Sequence, residues 1–171
     1  MMSLAALLAL AAPAAAQESP RTDLAKTFAA SLTALPAGAL PVGGSFYVPA
    51  YSQVVRSAGG VTIAFSVTLT IHNVSETRPL VLTRIAYFDT AGAMVEAFLK
   101  APVALKPLAM VQLSIPVTDA RGGAGANFLV DWAAEGGGAE PAVEALMLGA
   151  IGNATYSFVS AGRPTREIGA R

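Results

Sequence analysis

The strict alternation over residues 61–72 limits what this chain can fold into more than any other feature. Apolar side chains occupy every odd position from Val61 to Ile71, while polar or small side chains occupy the even positions through His72. A period of two over twelve residues predicts a long β-strand with one buried face. Glycines precede the stretch, and the turn-forming residues 73–79 end it.

Six further segments have the length and composition of strands, and turn residues separate them. They are residues 80–89, 94–99, 110–117, 127–133, 142–148 and 156–161. Apolar side chains on both faces of 80–89 indicate a bulge or two-sided burial, and Pro116 favours an edge position for 110–117. Residues 142–148 are also compatible with a helical turn, but their short length between Pro141 and Gly149 favours a strand.

Short strands without helical periods among them predict an all-β fold, an antiparallel immunoglobulin-like β-sandwich of about seven or eight strands. We place this domain at residues 45–162 and a polar tail at 163–171. Trp132, the single tryptophan, shares the parity of Phe128 and Val130. We therefore expect it to be buried between the sheets with Phe65 and Val67.

The amino-terminal residues predict export. Residues 4–16 are apolar except for Pro13 and end in three alanines, and the run is shorter than the ~20 residues that a membrane helix needs. A short apolar run before Ala-x-Ala is typical of a signal peptide, here residues 1–16, cleaved between Ala16 and Gln17. No cysteine follows it. We therefore expect a periplasmic or secreted protein that is not a lipoprotein and has no membrane span in the mature chain.

Residues 17–44 have the composition of an Ala/Pro/Gly-rich linker that contains a possible short helix. Leu24, Phe28, Leu32 and Leu35 follow a helical spacing, and Thr22 or Asp23 is suited to cap its start. Pro36 ends that pattern. A helix of this length is marginal in isolation, so we expect it to dock on the domain or to fray.

Charge and composition exclude several function classes. The chain has 11 basic and 11 acidic side chains, so it lacks the positive charge that nucleic-acid binding requires. With no cysteine and one histidine, a zinc site is chemically poor. No Gly-x-Ser-x-Gly motif accompanies His72, which we expect to be an exposed or capping imidazole. We predict no catalytic site, no metal and no cofactor.

One glycine-rich connection is the candidate ligand or partner site. Three glycines in four residues bring backbone amides together in a concavity that can hold an anion, with a guanidinium and a carboxamide nearby. The candidate residues are Arg121, Gly122, Gly123, Gly125 and Asn127. The alternative is a tight turn that needs positive φ angles. Under the binding hypothesis, Arg121→Ala weakens binding and leaves stability nearly unchanged.

Four stretches carry a family resemblance: residues 46–52, 68–73, 87–92 and 122–128, the last followed by Trp132. In this order they resemble the bacterial domain-of-unknown-function family 3124 over residues 46–163. The resemblance implies an exported protein and no assigned activity, so no catalytic residue follows from it. Many members look like lipoproteins, and this chain differs because it lacks the cysteine. The long strand that closes in residues 71–73, followed by Pro79 and Leu80, also loosely resembles plant desiccation-type sandwich domains.

These observations favour a periplasmic binding or interaction module whose partner is an unknown protein or a small anionic ligand. Two alternatives stay open, a stress-protective chaperone-like domain and a cell-envelope hydrolase. An enzyme would have a deep polar pocket with perturbed titrating groups. A binding module would have an exposed apolar patch or an uncovered sheet edge.

Overall fold

The computed structural model describes residues 23–56 and 60–169. This part of the chain contains one single-turn helix, α1 (Leu24–Thr27), and thirteen strands. The strands are β1 (Leu32–Thr33), β2 (Val42–Pro49), β3 (Gln53–Val55), β4 (Thr62–Ala64), β5 (Ser66–His72), β6 (Leu80–Phe88), β7 (Met94–Ala97), β8 (Val103–Leu105), β9 (Met110–Ile115), β10 (Asn127–Ala134), β11 (Ala142–Ile151), β12 (Ala154–Ala161) and β13 (Arg163–Ile168). Short 3-10 turns lie at Ala29–Ser31 and Gly123–Gly125.

The strands form two large antiparallel sheets and a small ribbon. The first sheet has the order β1-β8-β6-β10-β2-β13, with β7 also paired to β6, and the second has the order β12-β11-β5-β9. The ribbon pairs β3 with β4. Buried apolar side chains from both sheets form one core cluster. The prediction of an all-β antiparallel sandwich is confirmed, but the expected seven or eight strands were too few because short and polar strands leave little trace in a sequence.

The long alternating stretch is divided between two strands. Phe65 lies between β4 and β5, and its backbone N–H donates to the Ser52 carbonyl oxygen at 2.9 Å. The chain therefore passes from the ribbon, where β4 pairs with β3, to the second sheet, where β5 pairs with β11. The odd-numbered side chains face the core on both sides of this transition. Ile63 and Phe65 are buried like the odd residues of β5. Val61 is 49% exposed because it precedes β4, so its predicted burial was wrong.

The other strand predictions hold in their main features. Strand β6 is buried on both faces and has an extra residue, Thr83, where its register with β10 shifts, as the sequence indicated. Strand β9 lies at a sheet edge. Residues 142–148 belong to a strand rather than a helical turn. Trp132 is 5% exposed in the core cluster that also contains Phe65 and Val67.

The segment assigned to a linker is partly integrated into the domain. Asp23 caps α1, and its Oδ1 accepts from the Lys26 N–H at 3.2 Å. Leu24 is buried, whereas Leu35 is exposed, because the chain leaves the helix and pairs as β1 with β8. Strand β2 already begins at Val42, three residues before the predicted domain start.

The segment assigned to a polar tail forms strand β13. It pairs with β2, and all its side chains are exposed, so the sequence shows no alternation that would reveal it. A Cβ on Gly44 would lie 2.5 Å from the Arg166 carbonyl oxygen, so the close approach of β13 requires glycine there.

The predicted signal peptide, residues 1–16, lies outside the described residues. Within the described residues, no helix is long and apolar enough to cross a membrane.

Candidate functional site

Four of the five predicted site residues lie in the connection from β9 to β10, and the fifth, Asn127, follows it directly. Gly123 adopts a φ of +70°, so this position needs glycine, as the turn alternative expected. Gly125 ends the 3-10 turn, and Asn127 begins β10 opposite Pro49 and Phe88.

Arg121 is already neutralised by two carboxylates. Its Nη2 lies 2.6 Å from Asp119 Oδ2 and 3.2 Å from Glu96 Oε2, and its Nε donates to Asp119 Oδ1 at 2.9 Å. These hydrogen bonds hold the pKa of Asp119 below its usual value, and the same contacts raise the pKa of Arg121. A guanidinium bound in this way has little attraction left for a carboxylate or phosphate.

Three backbone amides of the connection, those of Arg121, Gly123 and Gly125, are also engaged within the protein. The Gly125 N–H donates to Thr90 Oγ1 at 2.9 Å, and that hydroxyl donates to the Gly122 carbonyl oxygen at 3.0 Å. The Arg121 N–H donates to Asp119 Oδ1, and the Gly123 N–H to the Ala120 carbonyl oxygen. The geometry therefore favours the tight turn over the anion site.

A buried pair beneath this turn joins three of the four stretches that carry the family resemblance. The Tyr87 and Ser52 hydroxyls are 2.9 Å apart. A Cβ on Gly122 would collide with the Tyr87 hydroxyl, so the turn packs directly on this pair. Burial raises the pKa of Tyr87. The buried pair therefore supports the turn from below. Ser52 and Tyr87 are 35 residues apart in the sequence, so their contact could not be predicted from local pattern.

A cavity of about 630 Å³ lies beside α1. Its lining includes Leu24, Phe98, Leu99 and Val103, with Glu96 and Lys100 among the polar members. No sequence pattern indicates this cavity, because α1 and the segment after β7 are distant along the chain. His72 is exposed at the end of β5, as expected. The described residues contain no group of three or more His, Cys, Asp or Glu side chains suited to hold a metal ion.

The second sheet presents an apolar outer face, which we define by Leu146, Leu148 and Val159. These side chains are 40%, 47% and 56% exposed, although they lie in regular strands. Leu146 is directly opposite Val159 across β11 and β12. Alternation on β11 explains the pattern, because its odd residues fill the core and its even residues point outward.

Strand β12 is the edge of this sheet and is apolar on its other face as well. Phe158 lies edge-on to Phe65 with ring centroids 5.3 Å apart and is 5.9 Å from Tyr51. Even so, Tyr156 and Phe158 each remain more than one-third exposed. The strand has no charged residue over its eight positions. The sequence predicted this strand but not that it lies at an edge, which depends on the order of strands in the sheet.

Comparison with solved structures finds a similar chain from Thermotoga maritima, titled "Crystal Structure of Thermotoga maritima 1070". The two are 11% identical, with a TM-score of 0.42 over 70% of this chain and 92% of that one. This degree of similarity says nothing about function. No curated protein matches the sequence.

The sequence profile of a known family matches residues 43–165, which is more than half of the chain. That family is described as "Protein of unknown function (DUF3124)". The match begins in β2 and ends in β13, so it spans both large sheets and the stretches that carried the resemblance. The chain therefore belongs to the DUF3124 family.

Proposed function

We propose that this chain is an exported interaction module, an immunoglobulin-like sandwich of the cell envelope, that binds polypeptide partners rather than catalysing a reaction. The observation that carries the proposal is the apolar outer face of β11 and β12. Contiguous apolar side chains on a regular sheet are typical of protein–protein contact sites. Export is supported by the apolar run and the three alanines that precede Gln17.

The position of the outer face supports binding over a role in stability. Leu146 and Leu148 lie on the side of β11 that faces away from the core, so a polar side chain at either position costs little folding energy. On the opposite face of the same strand, Ala145 and Met147 are fully buried. The partner we expect is therefore an apolar polypeptide segment, which gains free energy by removing Leu146, Leu148 and Val159 from water.

The proposal is tested by capture from a periplasmic extract on the immobilised protein, followed by mass spectrometry. The test variant is Leu146→Ser with Leu148→Ser. The control is Val74→Ser with Val117→Ser, because those valines are 45% and 51% exposed elsewhere on the surface. We expect a defined set of proteins on the wild type and the control and its loss from the test variant.

Equal capture by all three proteins would show that the outer face is not the binding surface. Capture that depends on the outer face but takes up many unfolded proteins without selection would instead favour the stress-protective alternative. Circular dichroism of each variant confirms that it is folded before the comparison is made.

A further inference from the structure

We propose that β12 pairs with β12 of a second copy of this chain, so that two four-stranded sheets become one sheet of eight strands. This inference rests on the proposed function in one respect only: it names a first polypeptide partner for the surface formed by β11 and β12. The argument depends on the edges of the sheets, the direction of the backbone groups and the symmetry of the strand.

The other outermost strands of the two large sheets carry features that prevent pairing with another chain. Strand β1 has only two residues. Strand β7, which among the described strands pairs with β6 alone, has four residues, includes Glu96 and has an interrupted register. Strand β13 contains Arg163, Pro164 and Arg166, and its register with β2 is interrupted. Strand β9 has α1 packed beside it. Short length, charge, proline, irregular register and coverage are the usual means of protecting a sheet edge.

Within the part of the chain that the structure describes, strand β12 has none of these features. It is eight residues long, contains neither charge nor proline, and pairs with β11 in an uninterrupted register. A long, regular and uncharged edge presents a row of backbone donors and acceptors to any strand that can align with it. Among the outermost strands of the two large sheets, this edge is the one suited to strand addition.

The direction of the backbone groups follows from one hydrogen bond. The Gly162 N–H donates to the Val143 carbonyl oxygen at 2.7 Å, which continues the β11–β12 ladder by one residue. Hydrogen bonding alternates along an antiparallel ladder. The even-numbered residues of β12 therefore bond to β11, and the N–H and C=O groups of Thr155, Ser157 and Val159 point toward the open side.

A second copy fits this edge because the strand is complementary to itself. An antiparallel pair with its two-fold axis at Ser157 places Thr155 opposite Val159 of the second copy, and both residues have outward-pointing backbone groups. The same register places Tyr156 opposite Phe158 of the second copy in the non-hydrogen-bonded position, where side chains approach most closely. Aromatic pairs favour such positions.

Charge also permits a second copy. Two β12 strands bring no like charges together because neither has any, and the whole chain has 11 basic and 11 acidic side chains. Charge therefore does not oppose the approach of two copies. The pairing leaves Leu146 and Leu148 of both copies accessible on one continuous outer face, so it is compatible with further partners there.

The first experiment measures the molar mass of the purified protein by light scattering over a dilution series. We expect the wild type to have twice the mass of one chain. Ser157→Lys, which places two ammonium groups at the two-fold axis, should shift it to a monomer. The control, Thr68→Lys, adds the same charge to the outer face but on β5, away from the edge, and should remain dimeric.

The second experiment uses the absence of cysteine from the chain. In the proposed register, the Ser157 Cα atoms of the two copies are about 5.5 Å apart, within the range that a disulfide spans. Oxidised Ser157→Cys should therefore form a covalent dimer, whereas Thr68→Cys should not. This near-isosteric variant keeps the test valid if Ser157→Lys does not fold.

A monomeric wild type, a dimeric Ser157→Lys, or equal cross-linking of both cysteine variants would overturn the inference. None of these results affects the capture experiment, in which Leu146 and Leu148 are varied and β12 is intact. A monomer that still captures partners through its outer face would therefore refute the dimer and leave the proposed function standing.

Discussion

Arg121 has a different role in the structure from the one that its neighbours in the sequence suggest. In the sequence it is a cation beside bare glycine amides, which suggests anion binding. In the structure its guanidinium closes a network with Asp119 and Glu96, and the Asp119 side chain is only 5% exposed. We therefore expect Arg121 to contribute to stability, whereas its place in the sequence predicted that its loss would be nearly neutral.

We predict that Arg121→Ala lowers the free energy of unfolding at pH 7 by about 1–3 kcal/mol, because it leaves a buried carboxylate without its main donor. Since the pKa of Asp119 is lowered in the folded state, its stabilisation is present above about pH 4, near its unfolded pKa, and is lost as the pH falls through the lower folded pKa. The difference between variant and wild type should therefore shrink toward acid pH. Urea unfolding at pH 7 and pH 3 measures it, and a difference independent of pH would contradict this account.

Strand β13 shows why a polar strand at the end of a domain is hard to recognise from the sequence. All its side chains are exposed, so no hydrophobic pattern distinguishes it from a tail. Its stability comes from the backbone ladder to β2 and from the close contact at Gly44. By contrast, the alternation in β5, β10 and β11 has one side in the core, and these strands were predictable for that reason.

We expect a chain truncated after Gly162 to be less stable than the full chain because β2 loses the ladder on one side. A loss of about 1 kcal/mol corresponds to a decrease in Tm of roughly 2–4 °C for a chain of this size. The control is truncation after Gly169, which removes no residue of β13. Thermal unfolding followed by circular dichroism measures both, and equal Tm values for the two truncations would show that β13 contributes nothing.

The predicted export signal precedes the part of the chain that the structure describes. Strand β2 begins at Val42 and the first helix at Leu24, so every described element follows the predicted cleavage site. Removal of residues 1–16 would therefore remove none of the described elements. Amino-terminal sequencing of the exported protein should give Gln17 as the first residue. A mature chain that retains Leu7 and Leu8 would contradict the signal peptide.

The fold class and the core of this protein could be predicted from the local sequence pattern. Period-two alternation specifies both a strand and its buried face, so the burial of Phe128, Val130 and Trp132 followed from local pattern alone. Local pattern did not predict the order of strands in the sheets, the partners of Arg121 or the position of β12 at a sheet edge. Each depends on contacts between residues far apart in the chain, and a local pattern carries no information about such contacts.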